Sequence, residues 1–198
     1  MRLGREKALE RINRQTLIER TIDCLSPVSQ AILIVTSQEQ FDPIASARLK
    51  GKVVTDLYPG KAALGGVYTG LASADTFYSL VVGCDMPFLN CGLLHYLVDL
   101  APSFDVVVPR INGMTEPLHA VYSKHCLPSI ERLLSQSGLA ISQLFTLIRT
   151  KYVDEDEIAR FDPEFSSFFN VNTEDDLAKA KALMRRKKQS PTVGEGKC

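Results

Sequence analysis

The chain has 198 residues, of which 45% are hydrophobic and 23% charged, a composition typical of one ordinary globular domain. Basic and acidic residues number 23 each, and this neutral balance argues against broad electrostatic binding to nucleic acid or to an anionic membrane. No run approaches the ~18 apolar residues of a membrane-spanning helix, and the polar N-terminus is unlike a secretory signal. We therefore expect a cytoplasmic protein.

The cysteines indicate a reduced protein. No Cys-x-x-Cys pair occurs among the five, which are Cys24, Cys84, Cys91, Cys126 and Cys198. An odd number without paired spacing favours reduced thiols over a zinc site or a disulfide framework.

Helix-like and strand-like segments alternate through the first half of the chain. The Thr-x-x-Glu sequence at 16–19 has the form of a capping box and precedes apolar residues at helical spacing. Continuous apolar runs at 31–35 and 78–82 predict strands buried on both faces, and 52–55 predicts a weaker strand. Residues 63–74 predict a helix that is rich in glycine.

The second half continues the alternation. A strand is predicted at 105–108, and an extended segment at 116–122 contains Pro117, which places it at an edge or a bend of the sheet. Helices are predicted, in order, at 93–100, 123–134, 140–149 and 173–184.

This order of elements predicts an α/β protein with a mostly parallel sheet covered on both faces, in three layers. We expect one domain over residues 1–184 and a disordered basic tail over 185–198, whose Arg and Lys run fits a solvated helix end better than a nucleic-acid patch. Sheets of this kind bind ligands at the carboxyl ends of their strands.

Two aspartates follow predicted strands and are candidates for the ligand site. Asp85 comes after the strand at 78–82 and precedes a Met-Pro pair, a position from which it could hold Mg²⁺ or merely cap the next turn. Asp56 follows the strand at 52–55, where a simple turn aspartate is the more common interpretation.

The remaining candidates depend on weaker patterns. Gly65 and Gly66 are adjacent in a predicted helix, which indicates either a ligand against the backbone or close packing. Lys7 could act as a point charge on phosphate, and Asn172 could line a site together with Asn170 or cap the last helix. The histidines show no catalytic or metal-binding arrangement, and His119 fits a packed, hydrogen-bonded side chain.

Taken together, the segments resemble the molybdenum cofactor guanylyltransferase family over roughly residues 2 to 184. The similar pieces are LGREK at 3–7, VVTDLYPGKAALGG at 53–66, VVGCDMPFL at 81–89, EPLHAVYS at 116–123 and FFNVNTEDDL at 168–177. An Asp-x-Pro after a strand also occurs in cytidylyltransferases, so the specificity lies in the combination. The resemblance implies the fold of nucleotide-diphospho-sugar transferases, with a Rossmann-like, mostly parallel sheet.

The resemblance also implies roles for individual residues. Lys7 would contact the phosphates of GTP and take part in catalysis with Asp85, which would bind Mg²⁺ and the triphosphate. Asp56 would contribute to the GTP site, Gly65 and Gly66 would lie against the nucleotide, and the substrate side would be lined by Asn170 and Asn172. The implied partners are GTP, Mo-molybdopterin and the molybdoenzymes or chaperones that receive the cofactor.

One departure from the family pattern concerns the N-terminus. Members of the family begin with an apolar strand and a glycine-rich loop that cradles the triphosphate, and we expect both to be absent here, through a misassigned start codon or a true truncation. The implied activity is GMP transfer from GTP to Mo-molybdopterin. The alternatives are a CTP-dependent molybdopterin cytidylyltransferase and a non-catalytic protein that binds the pterin cofactor.

Overall fold

Strands and helices alternate in the computed structural model, which describes residues 7–136 and 140–189. The strands are β1 (Arg11–Ile12), β2 (Gln15–Thr16), β3 (Leu33–Thr36), β4 (Lys52–Thr55), β5 (Tyr78–Val82), β6 (Val106–Ile111), β7 (Met114–Thr115), β8 (His119–Ser123) and β9 (Thr150–Val153). The helices are α1 (Leu17–Leu25), α2 (Gln38–Ser46), α3 (Ala62–Ser73), α4 (Cys91–Leu100), α5 (Leu127–Leu134), α6 (Glu155–Ile158) and α7 (Glu174–Gln189).

The strands form a larger mixed sheet and two smaller pairs. In the larger sheet β8 lies between β5 and β6 and is antiparallel to both, while β9 runs parallel to β6, and β7 pairs with the end of β6. Strands β3 and β4 form a separate parallel pair, and β1 with β2 forms a short antiparallel hairpin. The predicted α/β class is confirmed, with a sheet that is mixed because β8 reverses direction.

Alternating residues of the central strands build a hydrophobic core on each face of the larger sheet. Val106 and Val108 of β6 pack in one buried cluster with residues of α3 and α5. Val107 of β6 and Val121 of β8 pack in another with residues of α4 and α6. Because successive strand residues point to opposite faces, this sorting produces the predicted three layers of helix, sheet and helix.

Helices α1 and α2 pack on the parallel pair β3–β4 and form a separate buried cluster with it. Ile18 and Ile22 of α1 and Ile44 of α2 pack in one buried cluster with Ile34 of β3. Helix α3 packs against both β3 and β5, which are not hydrogen-bonded to each other within residues 7–136. Among the described residues, each of these two strands therefore has one edge without a strand partner, and α3 connects the two parts of the fold.

Several local predictions are confirmed, and others need correction. The capping box at Thr16 is present: its side chain accepts from the backbone of Glu19 at 3.2 Å, and the Glu19 carboxylate accepts from the Thr16 backbone at 2.7 Å. The helix predicted at 140–149 is instead a 3₁₀ segment, Ile141–Thr146. The segment at 116–122 was expected at an edge or a bend of the sheet: the bend is confirmed, since Pro117 lies in the turn before β8, whereas β8 itself is an interior strand paired on both sides.

The C-terminal end also differs from the prediction. Helix α7 continues to Gln189, so the beginning of the tail predicted to be disordered is helical, with Arg185 and Arg186 exposed on it. Residues 190–198 lie outside the described part, as does most of the LGREK motif, at 3–6. In the described ranges, none of the helices is both long enough and apolar enough to cross a membrane.

Candidate active site

The loop after β5 holds the Asp85 carboxylate in a confined position. The Gly83 backbone N–H donates to the Leu118 carbonyl at 2.8 Å, which ties the beginning of the loop to the segment before β8. A Cβ atom at Gly83 would lie 2.7 Å from Oδ1 of Asp85, closer than such contacts occur. Glycine is therefore required at position 83 for the carboxylate of Asp85 to lie where it does.

A second segment, residues 161–172, lies along the Asp85 loop and fixes its course. The Val171 backbone N–H donates to the Asp85 carbonyl at 2.9 Å, and the side-chain amide of Asn90 donates to the Phe161 carbonyl at 2.8 Å. Asp162, which is buried, accepts from the backbone of Ser167 at 2.7 Å and holds the turn between these contacts. This pairing brings the Asn-Val-Asn sequence at 170–172 beside Asp85.

Lys7 reaches the same place from the other end of the chain. Its Nζ donates to Oδ1 of Asn172 at 2.8 Å. The N-cap of α7 is Thr173, whose hydroxyl accepts from the Asp176 backbone at 3.1 Å, while the Asp176 carboxylate accepts from the Asn172 backbone at 3.2 Å. The Asn172 side chain is thus not the helix cap, and it contacts Lys7.

The other asparagine of the pair has a local contact. Asn170 is half-buried, and its side-chain amide donates to the Phe168 carbonyl at 3.4 Å. The structure therefore places Lys7, Asp85, Asn170 and Asn172 in one region, which we call the strand-end cluster.

Glu116 joins this cluster, although the sequence analysis did not single it out. It is half-buried in the turn between β7 and β8, and burial, together with the neighbouring charge of Asp85, raises the pKa of its carboxyl. The carboxyl groups of Glu116 and Asp85 thus lie near each other. The signal available in the sequence was the acidic residue that opens the EPLHAVYS motif, next to a proline that stiffens the turn.

Asp56 lies in a second group, against the side of α3. Its Oδ1 accepts from the Thr69 hydroxyl at 2.8 Å and from the Tyr58 backbone at 3.0 Å. The same hydroxyl accepts from the backbone of Leu57 at 3.0 Å. Both hydrogen bonds to the carboxylate engage Oδ1, so Asp56 is oriented by α3 as well as by its own turn.

The two adjacent glycines of α3 have different surroundings. A Cβ atom at Gly65 would lie 2.7 Å from the Tyr58 carbonyl oxygen and 3.2 Å from Oδ2 of Asp56. Close packing therefore explains Gly65. A Cβ atom at Gly66 would have no neighbour within 4 Å, so this position faces open space and its glycine has no packing explanation.

The backbone that leads into α3 is strained. Gly60 has φ +80° and Ala62 has φ +47°, both in the left-handed region. For a residue with a Cβ atom, such a conformation costs of the order of 1–3 kcal/mol and is retained where the surrounding structure enforces it, often at ligand sites. Gly66 and this strained entry occupy one end of the same helix.

His119 is buried and packed, as predicted, but it is not hydrogen-bonded within the described ranges. Its ring lies 4.7 Å from that of Phe168, and neither nitrogen has a protein partner there. Burial lowers the pKa of His119 to about 4. A neutral, enclosed imidazole of this kind is not placed for acid–base catalysis.

Comparison with known proteins identifies the family to which this arrangement belongs. The family model of the MobA-like NTP transferase domain matches residues 1–151. The chain belongs to this family. A protein of Pelotomaculum thermopropionicum named "Probable molybdenum cofactor guanylyltransferase" is 36% identical over 92% of this chain and 87% of its own length. The "Molybdenum cofactor guanylyltransferase" of Desulfosudis oleivorans is 32% identical over 92% of this chain and 89% of its own length.

Solved structures agree with the family membership. The molybdopterin-guanine dinucleotide biosynthesis protein A of Archaeoglobus fulgidus superposes with a TM-score of 0.82, at 27% identity, and the match covers 93% of each chain. A 2-C-methyl-D-erythritol 4-phosphate cytidylyltransferase of Thermus thermophilus gives a TM-score of 0.68 at 17% identity, a likeness that concerns the fold alone. The resemblance inferred from the sequence motifs is therefore confirmed, together with the fold expected of a nucleotidyltransferase.

Proposed function

We propose that this chain transfers GMP from GTP to Mo-molybdopterin, giving molybdopterin guanine dinucleotide and diphosphate. The observation that carries the proposal is that Asp85, Glu116, Lys7 and Asn172 lie in one region at the end of β5, which brings one cation and two carboxylates near each other. The names of the relatives in Pelotomaculum and Desulfosudis support the choice of GTP and of the pterin acceptor.

The proposed reaction needs no general base. The nucleophile is the terminal phosphate of molybdopterin, and a phosphate monoester has a second pKa near ~6, so it is largely dianionic at neutral pH. Attack on the α-phosphorus of GTP requires that two anions be aligned and their charge be neutralised. His119 is buried and neutral, which is compatible with this scheme because the proposed reaction needs no histidine as a general base.

A divalent metal ion, which we propose to be Mg²⁺, fits the residues of the strand-end cluster. Mg²⁺ is usually bound by one or two carboxylates, with substrate phosphates and waters as its other ligands. Asp85 and Glu116 supply two carboxylates, and the confined position beside Gly83 orients the first of them. When bound, the ion would supply positive charge to the triphosphate. Glu116 would be a second carboxylate of this site, beyond those implied by the family resemblance.

Lys7 would supply a positive charge from the protein itself, in addition to that of the metal ion, to offset the negative charge of the phosphates. Its hydrogen bond to Asn172 orients the ammonium group without neutralising it, because an amide oxygen carries no charge. Asn170 and Asn172 would line the pterin side of the site, since their backbone runs beside Asp85. The acceptor phosphate would then lie between Lys7 and Asp85.

The nucleotide side of the site would lie along the beginning of α3. There the open surface of Gly66 lets a flat or extended ligand approach the helix backbone. Asp56 is oriented through Oδ1 by Thr69 and Tyr58, which leaves Oδ2 to accept from the N–H groups of guanine. Cytosine presents a different donor pattern, so Asp56 would favour GTP over CTP.

The experiment is a transfer assay with the purified chain, Mg²⁺, Mo-molybdopterin and α-labelled GTP or CTP at equal concentration. We expect labelled guanine dinucleotide and stoichiometric diphosphate from GTP, with kcat/KM for CTP at least tenfold lower. Comparable use of CTP would replace the proposal with a cytidylyltransferase. Folded protein that binds the pterin cofactor but transfers neither nucleotide would indicate a binding protein instead.

A further inference from the structure

Two thiols from distant parts of the chain lie in direct contact beside the Asp85 loop. Cys24 is in the last turn of α1, Cys91 is the first residue of α4, and their sulfurs are 2.9 Å apart. Each sulfur also points towards the other segment: Sγ of Cys91 lies 3.6 Å from the Cys24 carbonyl, and Sγ of Cys24 lies 3.7 Å from the carbonyl of Leu89. The two thiol groups are thus directly adjacent.

The backbone at both cysteines is held by contacts that do not involve the sulfurs. Asn90 caps α4 by accepting from the Leu93 backbone at 3.0 Å, and its amide donates to Phe161. On the other side, Leu25 is buried and the Ser26 hydroxyl donates to the Ile22 carbonyl at 2.8 Å, which fixes the end of α1. The sulfur contact therefore follows from the fold.

We propose that Cys24 and Cys91 form a reversible disulfide that links α1 to the beginning of α4. A disulfide has an S–S length of about 2.05 Å, so the sulfurs need to approach by only about 0.9 Å. Both side chains are half-buried, and a small oxidant can reach them.

The oxidant is a low-molecular-weight disulfide such as oxidised glutathione. One cysteine thiolate attacks a sulfur of the oxidant, which breaks the oxidant's S–S bond, forms a mixed disulfide and releases one thiol. The second cysteine then attacks the protein sulfur of the mixed disulfide and releases the second thiol. The two cysteines lose two electrons and two protons, and the oxidant gains them.

The bond would act on the loop that carries Asp85. Residues 86–90 separate Asp85 from Cys91, and hydrogen bonds to residues 161–171 are among the contacts that hold this loop. A covalent link at its far end restricts local opening of that loop. It also closes a long loop between positions 24 and 91, which raises the melting temperature by roughly 5–15 °C in a protein of this size.

The test is a redox titration of the full chain in glutathione buffers of increasing oxidised fraction, followed by acid quenching, alkylation in denaturant, because Cys126 is buried, and intact-mass measurement. Of the five cysteines, we expect alkylation of all five in reduced protein and of three after oxidation, with a Cys24–Cys91 cross-linked peptide on digestion. Hydrogen exchange in residues 86–90 should slow, and the melting temperature should rise as stated.

Matched variants make the result specific. Cys24→Ser and Cys91→Ser should each abolish the paired loss of thiols and the rise in melting temperature, and Cys24→Ala and Cys91→Ala serve if the serine variants are unstable. Cys84→Ser should keep both effects, with one thiol fewer in every state. Five alkylated thiols at the most oxidising ratio, a lasting adduct of one glutathione, or a cross-link that uses another cysteine would each overturn the proposal.

Discussion

Nζ of Lys7 lies 2.8 Å from the side-chain oxygen of Asn172, and this contact joins residues 165 positions apart. It brings the first described element and the beginning of the last helix to the same point beside Asp85. Since an amide orients a lysine without removing its charge, the pair holds a cation ready for an anionic ligand.

Replacing Lys7 by Met keeps most of the side-chain stem and removes the charge. We expect turnover to fall by about 10²-fold, the usual effect of losing one positioned donor to a developing negative charge. The measurement is steady-state transfer from GTP. Lys50→Met, at an exposed position before β4, is the matched control and should stay near wild type. A Lys7→Met enzyme within twofold of wild type would remove Lys7 from the phosphate site.

The two adjacent glycines of α3, Gly65 and Gly66, should respond in opposite ways to a methyl group. Gly65→Ala places a carbon 2.7 Å from a backbone oxygen, and such overpacking typically costs about 1–3 kcal/mol of unfolding free energy. Gly66→Ala meets open space, and Ala is favoured over Gly in a helix by about 1 kcal/mol, so it should stabilise the protein.

Urea unfolding of both glycine variants measures the change in unfolding free energy. GTP titration measures the change in nucleotide affinity. If the nucleotide lies against Gly66, the more stable Gly66→Ala protein should bind GTP at least several-fold more weakly. Unchanged affinity would show that the nucleotide does not contact this turn. A Gly65→Ala protein as stable as wild type would show that the packing at Tyr58 is looser than the structure indicates.

Gly83→Ala should disturb the metal site more than the fold. The added Cβ atom would lie 2.7 Å from Oδ1 of Asp85, so the carboxylate must rotate away from its present position. We expect a much higher Mg²⁺ concentration for half-maximal activity and a loss of kcat of about 10²-fold. Gly70→Ala is the control, because its Cβ atom would be at an ordinary 3.7 Å from Val35. Equal Mg²⁺ dependence in the two variants would contradict the role given to Asp85.

Stability should fall in mild acid because of His119. Its pKa in the folded protein is about 4, below the ordinary value near 6.5, so the unfolded chain binds more protons between these limits. The neutral His119 ring makes its full contribution to the free energy of unfolding above about pH 6.5, and this contribution is lost as the pH falls towards 4. From pH 7 to pH 5 the loss is about 2 kcal/mol.

Urea unfolding at both pH values, for wild type and His119→Gln, isolates this contribution. The variant should show a clearly smaller decrease, whatever its stability at pH 7. Glu19 and Asp176 have lowered pKa values through hydrogen bonds at helix starts, and their stabilisation is lost only at lower pH, as their carboxylates are protonated. A decrease of equal size in both proteins would assign the acid sensitivity to other groups.

Local patterns in the sequence were sufficient for much of the fold. The capping box at Thr16 and the apolar run of β5 were predictable because the interactions that define them lie within a few residues. The 3₁₀ segment at 141–146 was not, since its spacing of apolar residues also fits an α-helix. The interior position of β8 was missed because pairing partners are set by topology, and a proline beside a strand indicates only a local bend.

Individual candidates for the site followed from the sequence, but their arrangement did not. Asp85 and Asp56 became candidates because ligands bind where strands end. The approach of Glu116 to Asp85, the Lys7–Asn172 contact and the Cys24–Cys91 contact each depend on chain segments far apart in sequence. Without the fold, the odd cysteine count indicated only reduced thiols.

The most direct test is calorimetric titration of GTP into the wild-type chain and into Asp85→Asn, each with and without Mg²⁺. Asp75→Asn, at an exposed position before β5, is the matched control. We predict Mg²⁺-dependent binding by the wild type and the control, and loss of the Mg²⁺ dependence in a folded Asp85→Asn protein. The same Mg²⁺-dependent affinity in Asp85→Asn as in wild type would contradict the assignment of the metal–nucleotide site to the end of β5.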